Sequence, residues 1–61
     1  DLILGSFVKK YVDSFSYEEL LDLYNILEKD DDTIFKWYSN NENNEEIAKS
    51  NVSNLLKNFK L

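Results

Sequence analysis

The sequence predicts an all-α fold, a small bundle of four helices in a single domain over residues 1–61. Three observations carry this prediction. In 61 residues there is no proline and one glycine, Gly5, whereas sandwiches and barrels need many turn residues. Apolar residues recur at three- and four-residue spacing in successive segments, the period of a helix face. Ser16-Tyr17-Glu18-Glu19 has the form of a capping box, a helix start written into the sequence. The length adds a constraint: so short a chain buries only about 60% of its unfolded surface, leaving room for one small core and no internal cofactor cavity.

The first helix is expected within Asp1 to Asp13. Leu4, Phe7, Val8, Tyr11 and Val12 share one face, with Lys9, Lys10 and Asp13 opposite. Glycine costs about 1 kcal/mol against alanine in a helix interior, so a kink or restart is expected at Gly5-Ser6. The second helix runs from Tyr17 to about Glu28 behind the Ser16 cap, with Leu20, Leu23, Tyr24 and Leu27 as its stripe and Leu21 and Ile26 widening it. Asp30-Asp31-Asp32-Thr33 followed by Ile34, Phe35, Trp37 and Tyr38 reads as a short helix entered through an aspartate cap and ending near Ser39. The polar run from Ser39 to Asn44 is a connection of ordinary length. The last helix is expected to start at Asn43 or Asn44, with Glu45 and Glu46 in its first turn. Ala48, Val52, Leu55, Leu56 and Phe59 form its stripe, and Lys57 and Lys60 lie near its end. The expected core is Leu4, Val8, Tyr11, Leu20, Leu23, Leu27, Phe35, Trp37, Val52, Leu55 and Phe59.

Composition excludes several function classes. The chain has no cysteine and no histidine, which removes disulfides, thiolate chemistry, and the commonest general base and metal ligand. All seven cations are lysines against twelve acids, a net charge of −5. Such a surface repels nucleic acid and anionic lipid and favours a basic protein partner. No apolar run approaches the roughly 20 residues of a membrane span, so neither nucleic acid nor membrane insertion is expected. The chain opens on Asp1 without a methionine, which reads as a trimmed fragment.

The candidate chemistries are weak when taken residue by residue. Asp30 to Asp32 lack the alternating ligands, central glycine and closing glutamate of a calcium loop, and they suit a solvated helix entry. Glu18 and Glu19 are adjacent on a helix and diverge, and Glu19 is assigned to the capping box. Ser14 and Ser16 have no base beside them. The aromatics lack a basic stripe for stacking on bases and suit a core. Asn51-Val52-Ser53 matches a glycosylation motif mid-helix with Val52 facing inward, a chance match. Catalytic, cofactor-binding and metal residues are therefore expected to be none.

The order of motifs goes further. Asp1-Leu-Ile-Leu-Gly-Ser-Phe, then Ser14-Phe-Ser-Tyr-Glu-Glu, then Leu27-Glu-Lys-Asp-Asp-Asp-Thr-Ile-Phe-Lys-Trp-Tyr resemble the SdhE-like flavinylation factors, bacterial relatives of mitochondrial succinate dehydrogenase assembly factor two. In that family a leucine-rich helix ends in an acidic turn, and a short helix of the form D-L-F-x-W-L follows. Asp31 to Tyr38 occupy that place. Thr33 stands where the family usually has an aspartate, which puts any contact made there in doubt. The family's Arg-Gly-x-x-Glu signature falls just ahead of Asp1, so the resemblance implies a five-helix bundle lacking most of its first helix.

The resemblance implies an assembly factor rather than an enzyme. It would bind the flavoprotein subunit of succinate dehydrogenase or fumarate reductase and promote covalent attachment of FAD. The FAD would belong to that partner, and this chain would hold no cofactor of its own and be a monomer when free. The implied location is the bacterial cytoplasm, or alternatively the mitochondrial matrix. Partner contacts are expected at Asp1, which adjoins the signature, and at Phe7, for which core packing is the competing reading. Asp30 and Asp31 are further candidates, with capping as their competing reading. From charge and size alone, the alternative is a generic acidic helical interaction module, adaptor or antitoxin-like.

Overall fold

Four α-helices and one 3-10 turn make up the regular structure of the described residues. The structure, a computed structural model, describes residues 2–40 and 47–61. In chain order they are α1 (Leu2–Tyr11), a 3-10 turn (Val12–Ser14), α2 (Tyr17–Leu27), α3 (Asp31–Asn40) and α4 (Asn51–Asn58), and no strand occurs among the described residues. The all-α bundle expected from the sequence is the observed architecture.

Each helix start has a local cause. At α2 the Glu19 backbone N–H donates to Ser16 Oγ at 3.2 Å, and the Ser16 N–H donates to Glu19 Oε1 at 2.9 Å. This reciprocal pair satisfies two donors that the helix itself cannot. At α3 the cap is Asp30, whose Oδ1 accepts from the Thr33 N–H at 2.8 Å, while its carbonyl accepts from the Ile34 N–H at 3.1 Å. At α4 the cap is Ser50, paired with Ser53 at the third helical position: Ser53 N–H donates to Ser50 Oγ at 3.0 Å and Ser50 N–H to Ser53 Oγ at 2.7 Å.

The core is one cluster of Phe7, Leu23, Ile26, Ile34, Trp37, Ile47, Val52 and Leu56, with every helix contributing. Phe7, Val52 and Leu56 are sealed from solvent. Half-buried Tyr11, Phe15 and Phe59 extend the cluster around Phe7: the Phe7 and Phe59 rings meet edge to face at 5.4 Å, and Tyr11 stacks on Phe15 at 5.8 Å. Such pairs contribute about 0.5–1.5 kcal/mol beyond their area. The chain beyond α4 is held down by the Tyr38 hydroxyl, which donates to the Phe59 carbonyl. Lys57 Nζ lies 4.6 Å from the centre of the Trp37 ring and covers it. The N-termini of α2 and α4 lie side by side, because Asn51 Nδ2 donates to Glu19 Oε2 at 2.8 Å.

Several expectations are corrected. α1 runs unbroken through Gly5-Ser6, because burial of Phe7 on its inner face outweighs the glycine penalty. α4 begins at Asn51, not near Asn43. Residues 47–50 are non-helical, Ile47 is buried and Ala48 is exposed. The expected cap and first turn at Asn43 to Glu46 lie outside the described residues. Asn51 therefore sits in the first turn of α4 rather than mid-helix, although Val52 does face inward. Leu20, Leu27 and Phe35 are exposed rather than core. In α2 the inward positions are Leu23 and Ile26, and in α3 Ile34 and Trp37, so these three residues fall on helix flanks. Leu4, Val8, Tyr11, Leu55 and Phe59 pack against the core from partly buried positions.

Two stability predictions follow from this packing. Trp37→Ala should cost about 3–5 kcal/mol, enough to abolish the cooperative melt of so small a domain when followed by circular dichroism. Gly5→Ala should raise the melting temperature. A Cβ at Gly5 meets nothing within 4 Å, and alanine in an unstrained helical position gains about 0.4–1 kcal/mol.

Candidate functional site

Some of the apolar residues left outside the core line a groove between α1 and the α2–α3 junction. Burial of Phe7 places Leu4 and Val8, four residues apart and hence one above the other on α1, along its flank. Gly5 lies beside them and adds no side chain. Across from them comes Leu27, the last residue of α2, and then Asp31, the first of α3. Leu4, Gly5, Val8, Lys9, Leu27 and Asp31 line an open groove of about 520 Å³. The apolar surface continues along α2, where Tyr17, Leu20, Tyr24 and Leu27 recur at helical spacing and are 76%, 37%, 60% and 43% exposed. On the other side of Leu4, Ile3, Ile34, Phe35, Tyr38 and Leu56 enclose with it a smaller apolar pocket of about 120 Å³.

The acids of α2 are not confined to this side: Asp22 and Glu28 line a separate pocket with Lys29 and Lys49, and Glu19 faces Asn51 of α4. Between Tyr17 and Glu28, α2 carries Glu18, Glu19, Asp22 and Glu28 and no lysine. Asp31 adds an acid to the groove lining, and Lys9 is the one cation lining it among the described residues. The Tyr24 hydroxyl is pushed above its usual range by its hydrogen bond to Glu28 and by that carboxylate's charge. The Glu19 carboxyl is held below its usual range, first by the backbone hydrogen bond from Ser16 and then by the Asn51 amide. Asp30 is lowered by the Thr33 backbone N–H and then by the Thr33 hydroxyl. The surface pair Lys36–Asp32 at 3.2 Å is solvent-exposed and worth little.

The residues singled out from the sequence fare differently. Asp31 lines the groove. Asp30 is the α3 cap, so its carboxylate is already engaged one residue from the groove. Phe7, expected as a partner contact, is corrected to core, its competing reading: its side chain is fully buried and closed to a partner. Asp1 lies outside the described residues. The groove is not legible in the sequence, although Leu20, Tyr24 and Leu27 form a visible stripe, because the same periodicity reads Leu20 and Leu27 as core. No group of three or more histidines, cysteines, aspartates or glutamates placed to hold a metal ion occurs among the described residues. No helix among them is long and apolar enough to cross a membrane.

The fold and the groove define a small helical bundle with an exposed apolar surface at Leu4, Val8 and Leu27. Comparison with protein families then gives the particular case. Residues 1–60 match the family described as flavinator of succinate dehydrogenase (Sdh5), and the chain belongs to that family. No curated protein and no solved structure matches the chain.

The two lowered carboxyls predict an acid limit. Their folded-state values lie below the ordinary 4.5 of Glu19 and 3.8 of Asp30. The folded state therefore binds protons less readily than the unfolded chain. The stabilisation is complete above those ordinary values and is lost as pH falls through the lowered ones. The melting temperature should drop as pH falls below about 4.5. The double variant Glu19→Gln, Asp30→Asn should show a flatter profile over that window, measured by thermal melts at a series of pH values.

Proposed function

We propose that this protein is an assembly factor that binds the flavoprotein subunit of succinate dehydrogenase or fumarate reductase and promotes covalent attachment of FAD to a histidine of that subunit. The observation that carries this reading is the family match across residues 1–60. The physical character of the chain supports it. The reacting atoms, flavin and histidine, both belong to the partner, and this chain contains no histidine. On this reading the FAD is the partner's as well, and this chain contributes surface rather than a cofactor site.

A factor of this kind works by differential binding. If it holds the flavoprotein conformation in which the flavin and its histidine are aligned more tightly than other conformations, it enriches that state. A preference of about 1.4 kcal/mol changes the population ratio tenfold. Alignment of the two reactants then lowers the barrier without any group supplied by the factor.

Co-expression of the full-length protein with a flavoprotein subunit should raise covalent flavin, read as in-gel fluorescence of the denatured subunit, above the level without the factor. Unchanged fluorescence together with no measurable binding between the purified proteins would refute the reading.

A further inference from the structure

We propose that the end of the bundle where α1 and α4 finish, marked by Lys10, Lys57 and Lys60, docks an acidic segment of the flavoprotein subunit. This inference rests on the function proposed above and adds which end of the factor meets the partner and by what chemistry. The net charge of −5 conceals an uneven distribution. Residues 2–12, 33–40 and 47–61 hold six of the seven lysines and no acid. The acids among the described residues all lie between Asp13 and Asp32. Packing brings the three acid-free stretches together. Tyr11 closes α1, and its ring centre lies 6.3 Å from that of Phe59, the residue that follows the last turn of α4. Tyr38, in the last turn of α3, donates its hydroxyl to the Phe59 carbonyl.

Three of those six lysines already have acids near them. Lys36 pairs with Asp32, Lys9 shares the groove with Asp31, and Lys49 shares a pocket with Asp22 and Glu28. The other three stand over aromatic rings. Lys10 Nζ is 5.5 Å from the centre of Tyr11 and 5.9 Å from that of Phe59, Lys57 Nζ is 4.6 Å from Trp37, and Lys60 Nζ is 5.7 Å from Tyr38. Among the described residues none of the three is in an ion pair, and Asp13, the acid nearest to Lys10 in sequence, does not reach it. Lys10 and Lys57 lie in the last turns of their helices, where a cation offsets the dipole. The roughly half charge at each helix end still leaves most of the three ammonium charges uncompensated. The rings hold these ammonium groups in place, so less side-chain freedom is lost when carboxylates arrive. Aspartate and glutamate are the groups that complement such a face. The acids of a second copy would match it too, but molecules of net charge −5 repel at a distance. A contact between two different faces would also run head to tail without closing.

The test uses full-length protein and purified flavoprotein subunit. A zero-length carbodiimide, which joins an amine to a carboxylate, should link Lys10 or Lys60, both exposed, to an aspartate or glutamate of the flavoprotein, identified by mass spectrometry. Lys10→Gln combined with Lys60→Gln should weaken binding at least tenfold and reduce its dependence on salt. Lys49→Gln, at the pocket beside α2, should leave both unchanged. Wild-type affinity in the double variant, an equal loss in Lys49→Gln, or links from Lys10 and Lys60 only to a second copy overturns the inference and leaves the proposed function standing. Absence of binding by the wild-type protein overturns both.

Discussion

The contact on which everything else depends is the sealed junction of Phe7, Val52 and Leu56. The four helices are 10, 11, 10 and 8 residues long, and isolated helices shorter than about 12–15 residues are marginal in water. None of them is secure alone. Phe7 brings α1 onto α4, and the edge-to-face contact with Phe59 holds the chain that follows α4 over the same ring. Tyr38 closes the far side by donating to the Phe59 carbonyl, so α3 too is fixed by the chain that ends the bundle. Removing any one of these aromatic anchors loosens several elements at once, because each touches residues far from it in sequence.

Capping does more than start the helices. Glu19 completes the Ser16 box with one oxygen and receives the Asn51 amide with the other. A local device thereby fixes the placement of α4 from 32 residues away. The buried Ser53 is satisfied in the same economical way: its hydroxyl accepts from the Ser50 N–H and donates to the Ser50 carbonyl at 3.0 Å. A polar side chain can lie in the core beside Val52 without an unpaired atom. Two lysines serve as covers, Lys57 over Trp37 and Lys60 over Tyr38.

The number of helices and the α2 capping box were legible in the sequence, because both depend on local chemistry. The phase of α2 was not. Leu20, Leu23, Tyr24, Ile26 and Leu27 make a stripe too wide to face one core, and periodicity alone cannot tell which edge is inside. Tertiary packing chose Leu23 and Ile26, and the remainder stayed exposed, with Leu27 at the groove. Phe35 against Ile34 is the same ambiguity, one residue and about a third of a helix turn apart. The start of α4 was misplaced because Asn43-Asn44-Glu45-Glu46 and Ser50 with Ser53 are both acceptable helix openings. The serine pair prevails in a helix whose Val52 and Leu56 are sealed inside. Family membership was legible because it rests on the order of motifs, which survives such errors of phase.

The surplus apolar surface on α2 has a physical cost that bears on function. A 61-residue chain has little area to bury, and leaving Tyr17, Leu20, Tyr24 and Leu27 at its surface forgoes part of it. Gly5 weakens α1 in the same region with no packing need inside the chain. Both features stabilise nothing in the isolated bundle, yet both suit a face meant to be covered. Binding influences a partner's chemistry through free energy that differs between the partner's states. The apolar ridge supplies area for such a contact. The chain's economy of stability is thus consistent with a role exercised on another molecule, where the deficit is recovered on association.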